Sequence, residues 1–106
     1  MSEQVSANHI LLMYAGSQQS SATRTKEEAK QQIDDLKSQI DDGGDFGALA
    51  RDHSDCPSGR EGGSLGTFGR KQMVQPFEDV TFGLDVGAVS DVVETVFGFH
   101  IIQRTG

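Results

Sequence analysis

This 106-residue chain has one cysteine, two prolines, no tryptophan and few cations. A lone thiol, Cys56, can form no internal disulfide, so the chain suits a reducing compartment or needs no covalent staple. Nine Lys and Arg stand against 16 Asp and Glu, a net charge of −7. Nucleic-acid affinity rests on clustered cations that release counterions from phosphates, so no nucleic-acid partner is expected. The same charge opposes docking on an anionic membrane surface. No apolar run approaches a membrane span, and the start Met1-Ser2-Glu3-Gln4 is polar, unlike the basic lead of a signal segment. These absences predict a soluble, cytoplasmic protein without a membrane partner. The length suits a single domain that buries about two-thirds of its unfolded surface around one core.

What is present falls into clear segments. Ile10-Leu11-Leu12-Met13 is a continuous apolar run, short enough for a central strand buried on both faces. Residues 15–23 are nearly all Ala, Gly, Ser, Gln and Thr, without period or charge, and read as a loop. Thr25-Lys26-Glu27-Glu28 is a capping box, followed by Ala29, Ile33, Leu36 and Ile40 at helical spacing, with a stop at Gly43-Gly44. Asp45 can cap a second helix whose apolar face is Phe46, Leu49 and Ala50, with His53 next along it. Residues 54–64 hold three glycines and a proline and read as loop.

Leu65–Phe68 predicts a short strand. Pro76 opens a third helix with Phe77, Val80 and Phe82 facing inward before Gly83. Val92–Val96 and Phe99–Ile102 flank Gly98 as a hairpin. This order predicts an α+β domain with helices packed on a mainly antiparallel sheet.

Three histidines and Cys56 are the candidates for chemistry. His9 and His100 lie near opposite ends of the chain, in or beside apolar strands, and pairing the first strand with the last brings them together. They read either as buried, hydrogen-bonded imidazoles at the sheet centre or as active-site groups. His53-x-x-Cys56 offers two zinc ligands but no second pair accompanies it, so no metal is expected. Cys56 as a nucleophile needs a neighbouring base, and the adjacent Asp55 disfavours a thiolate. Gly62-Gly63-x-x-Gly66-x-x-Gly69 lacks the order of a phosphate loop and reads as turn glycine. Leu65, Met73 and Phe77 are either core or an exposed apolar pocket, since Met73 follows the polar stretch Arg70-Lys71-Gln72.

Taken in order, these residues resemble one family. The blocks are His9-Ile10-Leu11-Leu12, Thr23–Ala29, Phe46-x-x-Leu49-Ala50, Ser54–Ser58, Gly62-Gly63-x-Leu65-Gly66-x-Phe68, Met73–Glu78 and Gly98–Ile102. Together they are similar to the successive signatures of the parvulin-type peptidyl-prolyl cis/trans isomerases, from about Ala7 to Arg104. The resemblance implies a single domain over 1–106 (core 7–104), with a four-stranded antiparallel sheet surrounded by helices, an FKBP-like superfold. It implies rotation about the Xaa-Pro bond of proline-containing peptides or unfolded chains, in assistance of protein folding and without cofactor or metal. By resemblance His9 and His100 are paired active-site histidines, and Cys56 lies beside the reacting bond. Thr95 bonds to the histidine pair, and Leu65, Met73 and Phe77 hold the proline ring.

The phosphoserine/phosphothreonine-proline-specific branch of that family carries a Lys and Arg cluster in the loop after the first strand. Here Tyr14–Ser21 has no positive charge, Met13 replaces a basic residue, and Arg24 alone is a weak substitute. No preference for phosphorylated substrates is therefore expected. Phe97 stands where those relatives carry a small polar residue, and is expected to close the pocket rim or pack the side chain that precedes proline. The absence of tryptophan implies no accompanying WW-type domain, and a monomer is expected. A weakly catalytic proline-peptide binding or chaperone module is the alternative.

Overall fold

A computed structural model describes residues 4–17 and 22–106. In chain order the elements are β1 (Gln4–Leu12), α1 (Lys26–Asp41), α2 (Phe46–His53), a 3₁₀ helix (Pro57–Glu61), β2 (Ser64–Gly69), α3 (Gln75–Gly83), β3 (Val93–Thr95) and β4 (Gly98–Arg104). The strands make one antiparallel sheet in the order β2-β1-β4-β3, so the first and last strands form its centre. This is the expected α+β architecture.

Strand alternation divides the apolar residues between two faces. Ile10 and Leu12 of β1 and Phe99 and Ile101 of β4 pack with Ala29, Ile33 and Leu36 of α1 and Phe46 and Ala50 of α2. Val5, Ala7 and Ile102 face the other way, where Phe68 of β2 and Phe77 of α3 cover them. The α1 capping box forms as read: Thr25 Oγ1 accepts from the Glu28 N–H at 3.1 Å, and Glu28 Oε1 accepts from the Thr25 N–H at 2.8 Å. Asp45 caps α2 through the Ala48 N–H at 3.3 Å.

Three boundaries differ from the sequence expectation. The strand read at Ile10–Met13 begins at Gln4 and ends at Leu12. Its first half buries Val5 and Ala7 while Gln4, Ser6 and Asn8 stay on the wetter face, so the pairing precedes the continuous apolar run. The segment read as loop over 54–64 contains the 3₁₀ helix, which Pro57 opens and Gly62 closes at φ +72°. The last strands run Val93–Thr95 and Gly98–Arg104, with Val96 and Phe97 as the turn. The loop read at 15–23 is irregular where described, and residues 18–21 and the polar start at 1–3 lie outside the described residues.

Candidate active site

Strand geometry alone brings the histidines together. In the β1–β4 register His9 pairs with Ile102 and Leu11 with His100, so the two imidazoles are diagonal neighbours on the face covered by α3. Their Nδ1 atoms are 3.2 Å apart, and their rings stack with centroids 5.3 Å apart. Thr95, which ends β3, places Oγ1 2.7 Å from His100 Nε2 and accepts the Phe97 N–H at 3.2 Å. Phe77 of α3 meets both rings edge-on, at 5.5 Å from His9 and 5.3 Å from His100.

Burial sets the charge of this pair. Desolvation pushes His9 down to about 4; desolvation and then the neighbouring His9 push His100 down to about 3. Both rings are neutral near pH 7, each with one donor and one acceptor nitrogen. If Thr95 donates to His100 Nε2, His100 donates from Nδ1 to His9 Nδ1, and the chain ends at a protonated His9 Nε2. The reverse order leaves both the Thr95 hydroxyl proton and His9 Nε2 without partners, so the first order satisfies one more group. His9 Nε2 is the buried side-chain polar atom left without a hydrogen-bond partner among the described residues.

A second set of bonds fixes Cys56. After α2 the chain runs alongside the end of β1. The Asp55 N–H donates to the Leu11 carbonyl at 2.7 Å, and the Leu11 N–H donates to Ser54 Oγ at 3.1 Å. The Met13 N–H donates to Asp55 Oδ2 at 2.8 Å. Half-buried Cys56 is thereby held beside β1, and the Ser58 hydroxyl donates to its Sγ at 3.1 Å. Gly63 allows the close approach of this loop to the strand. Its φ is +87°, and a Cβ there would sit 2.4 Å from the His9 carbonyl oxygen.

These elements enclose a cavity of about 400 Å³ lined by His9, His100, Cys56, Leu65, Met73, Phe77 and Phe97. Thr95 stands behind His100, outside the lining. Leu11, Pro57, Gln72 and Val74 also line the cavity and escaped the sequence reading, and Met13, read only as the replacement for a basic residue, lines it too. Leu11 and Met13 follow His9 at period 2, a signal that was available; Gln72 and Val74 simply flank Met73. His53 ends α2 and does not reach the cavity. A larger cavity of about 620 Å³, lined by residues of α1 with Glu94 and Phe99, holds none of the predicted site residues.

Arg24 is already engaged. Its Nη1 lies 2.5 Å from Asp55 Oδ2 and 2.9 Å from the Met13 carbonyl oxygen. Among the described residues, no group of three or more His, Cys, Asp or Glu could hold a metal ion. No helix among them is long and apolar enough to cross a membrane.

Three comparisons with known proteins bear on the family and the fold. A family model described as a PPIC-type PPIase domain matches residues 1–106. The chain is 43% identical over 116 residues to peptidyl-prolyl cis-trans isomerase Pin1 of Digitalis lanata, covering 99% of this chain and 98% of that one. Its fold superposes on peptidyl-prolyl isomerase ESS1 from Candida albicans with a TM-score of 0.91 and 37% identity. That match covers 97% of this chain and 63% of the other. The solution structure of TbPIN1 matches over the whole of both chains, with a TM-score of 0.90 and 36% identity.

Proposed function

The chain belongs to the PPIC-type peptidyl-prolyl isomerase family, the parvulins, and is an enzyme of that class; from that premise we propose that it rotates Xaa-Pro bonds without requiring phosphate. The carrying observation is the cavity itself, apolar along Leu65, Met73 and Phe77 and polar along His9, His100 and Cys56.

Uncatalysed rotation about Xaa-Pro crosses about 20 kcal/mol, because the twisted amide loses resonance. No bond breaks and no group transfers, so the enzyme's task is to bind the twisted form better than either planar form. In this reading Leu65, Met73 and Phe77 hold the proline ring and exclude water from the amide. An amide in a less polar setting loses part of the charge separation that stiffens it. Cys56 lies beside the rotating bond as a thiol that accepts from Ser58. The neutral His9–His100–Thr95 chain is a hydrogen-bonded frame that shapes this wall; a proton shuttle has nothing to transfer. The presence of this polar half favours an enzyme over a binding module, which needs the apolar half alone.

Phosphate independence rests on the entrance. Met13 and Phe97 place apolar surface there, and Arg24 is committed to Asp55 and the Met13 carbonyl. Phosphate recognition wants converging free cations. Met13 and Phe97 instead suit an uncharged side chain before proline, and the net charge of −7 favours neutral or basic surroundings over acidic ones. Assistance to the folding of proline-containing chains, by a single domain acting as a cytoplasmic monomer, follows from the same reading. The test is NMR exchange spectroscopy on an unphosphorylated Leu-Pro peptide. Accelerated cis/trans exchange that Phe77→Ala weakens is the expected result; binding without acceleration points to the module.

A further inference from the structure

Between β2 and α3 the chain makes a tight turn whose residues Gln72, Met73 and Val74 line the cavity. Lys71, in this turn, is the non-glycine residue with a left-handed backbone among the described residues, at φ +71°. Left-handed geometry is unfavourable for a residue with a Cβ and persists where surrounding contacts over-determine it. Those contacts come from Glu78, one turn into α3 and only 5% exposed. Its Oε1 accepts the Lys71 N–H. Its Oε2 lies 3.5 Å from Arg70 Nη1 and 3.4 Å from Gln75 Nε2. Arg70 in turn lies over the Phe82 ring, 4.2 Å from its centroid. At the start of the turn, the Gly69 N–H donates to Gln72 Oε1 at 2.6 Å.

A buried carboxylate is an expensive way to fill space, and Glu78 neighbours the pocket residue Phe77 on the same helix. We infer that Glu78 is a positioning residue for the proline subsite: through the Lys71 backbone and Arg70 it holds the turn that keeps Met73 over the cavity, without touching substrate itself. This inference rests on the reading of Leu65, Met73 and Phe77 as the proline pocket. Phe77 is anchored by core packing in α3, whereas Met73 sits on a six-residue span, 69–74, without regular structure beyond its first residue. The turn therefore needs its own anchor, and the charge-assisted bond from a backbone N–H to a buried carboxylate supplies it.

The test reads KM and kcat separately for a Leu-Pro peptide, together with the Met73 methyl resonance. Glu78→Ala is expected to raise KM about tenfold while kcat changes less than about threefold, and to shift and broaden the Met73 methyl signal. Glu78→Gln keeps an acceptor for the Lys71 N–H and is expected to recover most of the KM. Glu78→Leu fills much of the same space without an acceptor for the Lys71 N–H, and decides the matter if Glu78→Ala fails to fold. The same rise in KM is expected for it. A wild-type KM and an unmoved Met73 methyl signal in the folded variant would overturn the inference. Met73→Ala separates the two readings. If it raises KM while the Glu78 variants do not, only the role of Glu78 falls; if it leaves KM unchanged, the proline-pocket reading falls and takes this role with it.

Discussion

His9 and His100 are each a neutral ring whose proton position is set by its neighbour, and this limits what they can do. Burial opposes a positive charge on either, so neither is equipped to donate a proton as an imidazolium near pH 7. What the pair retains is a directional hydrogen bond running from Thr95 through His100 to His9. An amide side chain can replace one link of such a chain. For His9→Asn the expected outcome is a folded protein whose kcat/KM falls by less than about tenfold in the exchange assay. Abolished activity with an intact fold would show that the imidazole itself takes part in the reaction. Cys56 carries the same logic, since its sulfur already accepts from Ser58 and is held by backbone contacts to β1.

Among the elements, the loop joining α2 to β2 carries the strictest geometric demand. Gly63 is left-handed and presses against the His9 backbone, whose N–H donates to the Gly63 carbonyl at 2.9 Å. Gly63→Ala combines backbone strain with a steric clash and is expected to cost about 2 kcal/mol or more in chemical denaturation. A loss well below 1 kcal/mol would mean that the strand and loop separate easily. Thr25→Ala, which breaks the α1 capping box at an exposed site, is expected to cost about 1 kcal/mol.

These elements also show what could be read without coordinates. The capping box, the helical spacing of Ala29, Ile33 and Leu36, and the last hairpin are local patterns; the first two form where the residues place them, and the hairpin forms with its turn at Val96-Phe97 and Gly98 inside the strand. The closeness of His9 and His100 was legible once the first and last strands were paired. Glu78 was not legible, because its position on α3 looks like an ordinary charged residue until the turn at Lys71 folds back onto it. The 3₁₀ helix after Cys56 was hidden by a glycine-rich composition that fits a turn and a loop equally well. Likewise Arg24 reads as a lone cation, and its engagement depends on Asp55, which is distant in sequence and adjacent in space.

For the whole molecule, the buried histidines couple stability to pH. In the unfolded chain each titrates near 6.5, whereas the folded state holds them near 4 and near 3. Below pH 6.5 the unfolded state therefore binds more protons, and stability falls as pH drops toward about 4 for His9 and about 3 for His100. Two such groups give a limiting slope of about 3 kcal/mol per pH unit. Urea denaturation between pH 6.5 and 5 is expected to show stability falling with acid, and His9→Asn to reduce the slope. A slope unaffected by that change would contradict the burial argument.

The central claim concerns the substrate, and one measurement addresses it directly: exchange NMR on matched peptides that differ only in carrying Leu or phosphoserine before proline. The engaged Arg24 and the apolar rim of Met13 and Phe97 predict faster isomerisation of the Leu-Pro peptide, with little acceleration for phosphoserine-Pro. Phosphoserine-Pro turning over about tenfold faster than its unphosphorylated counterpart would contradict the account, and would require a phosphate site at the same entrance.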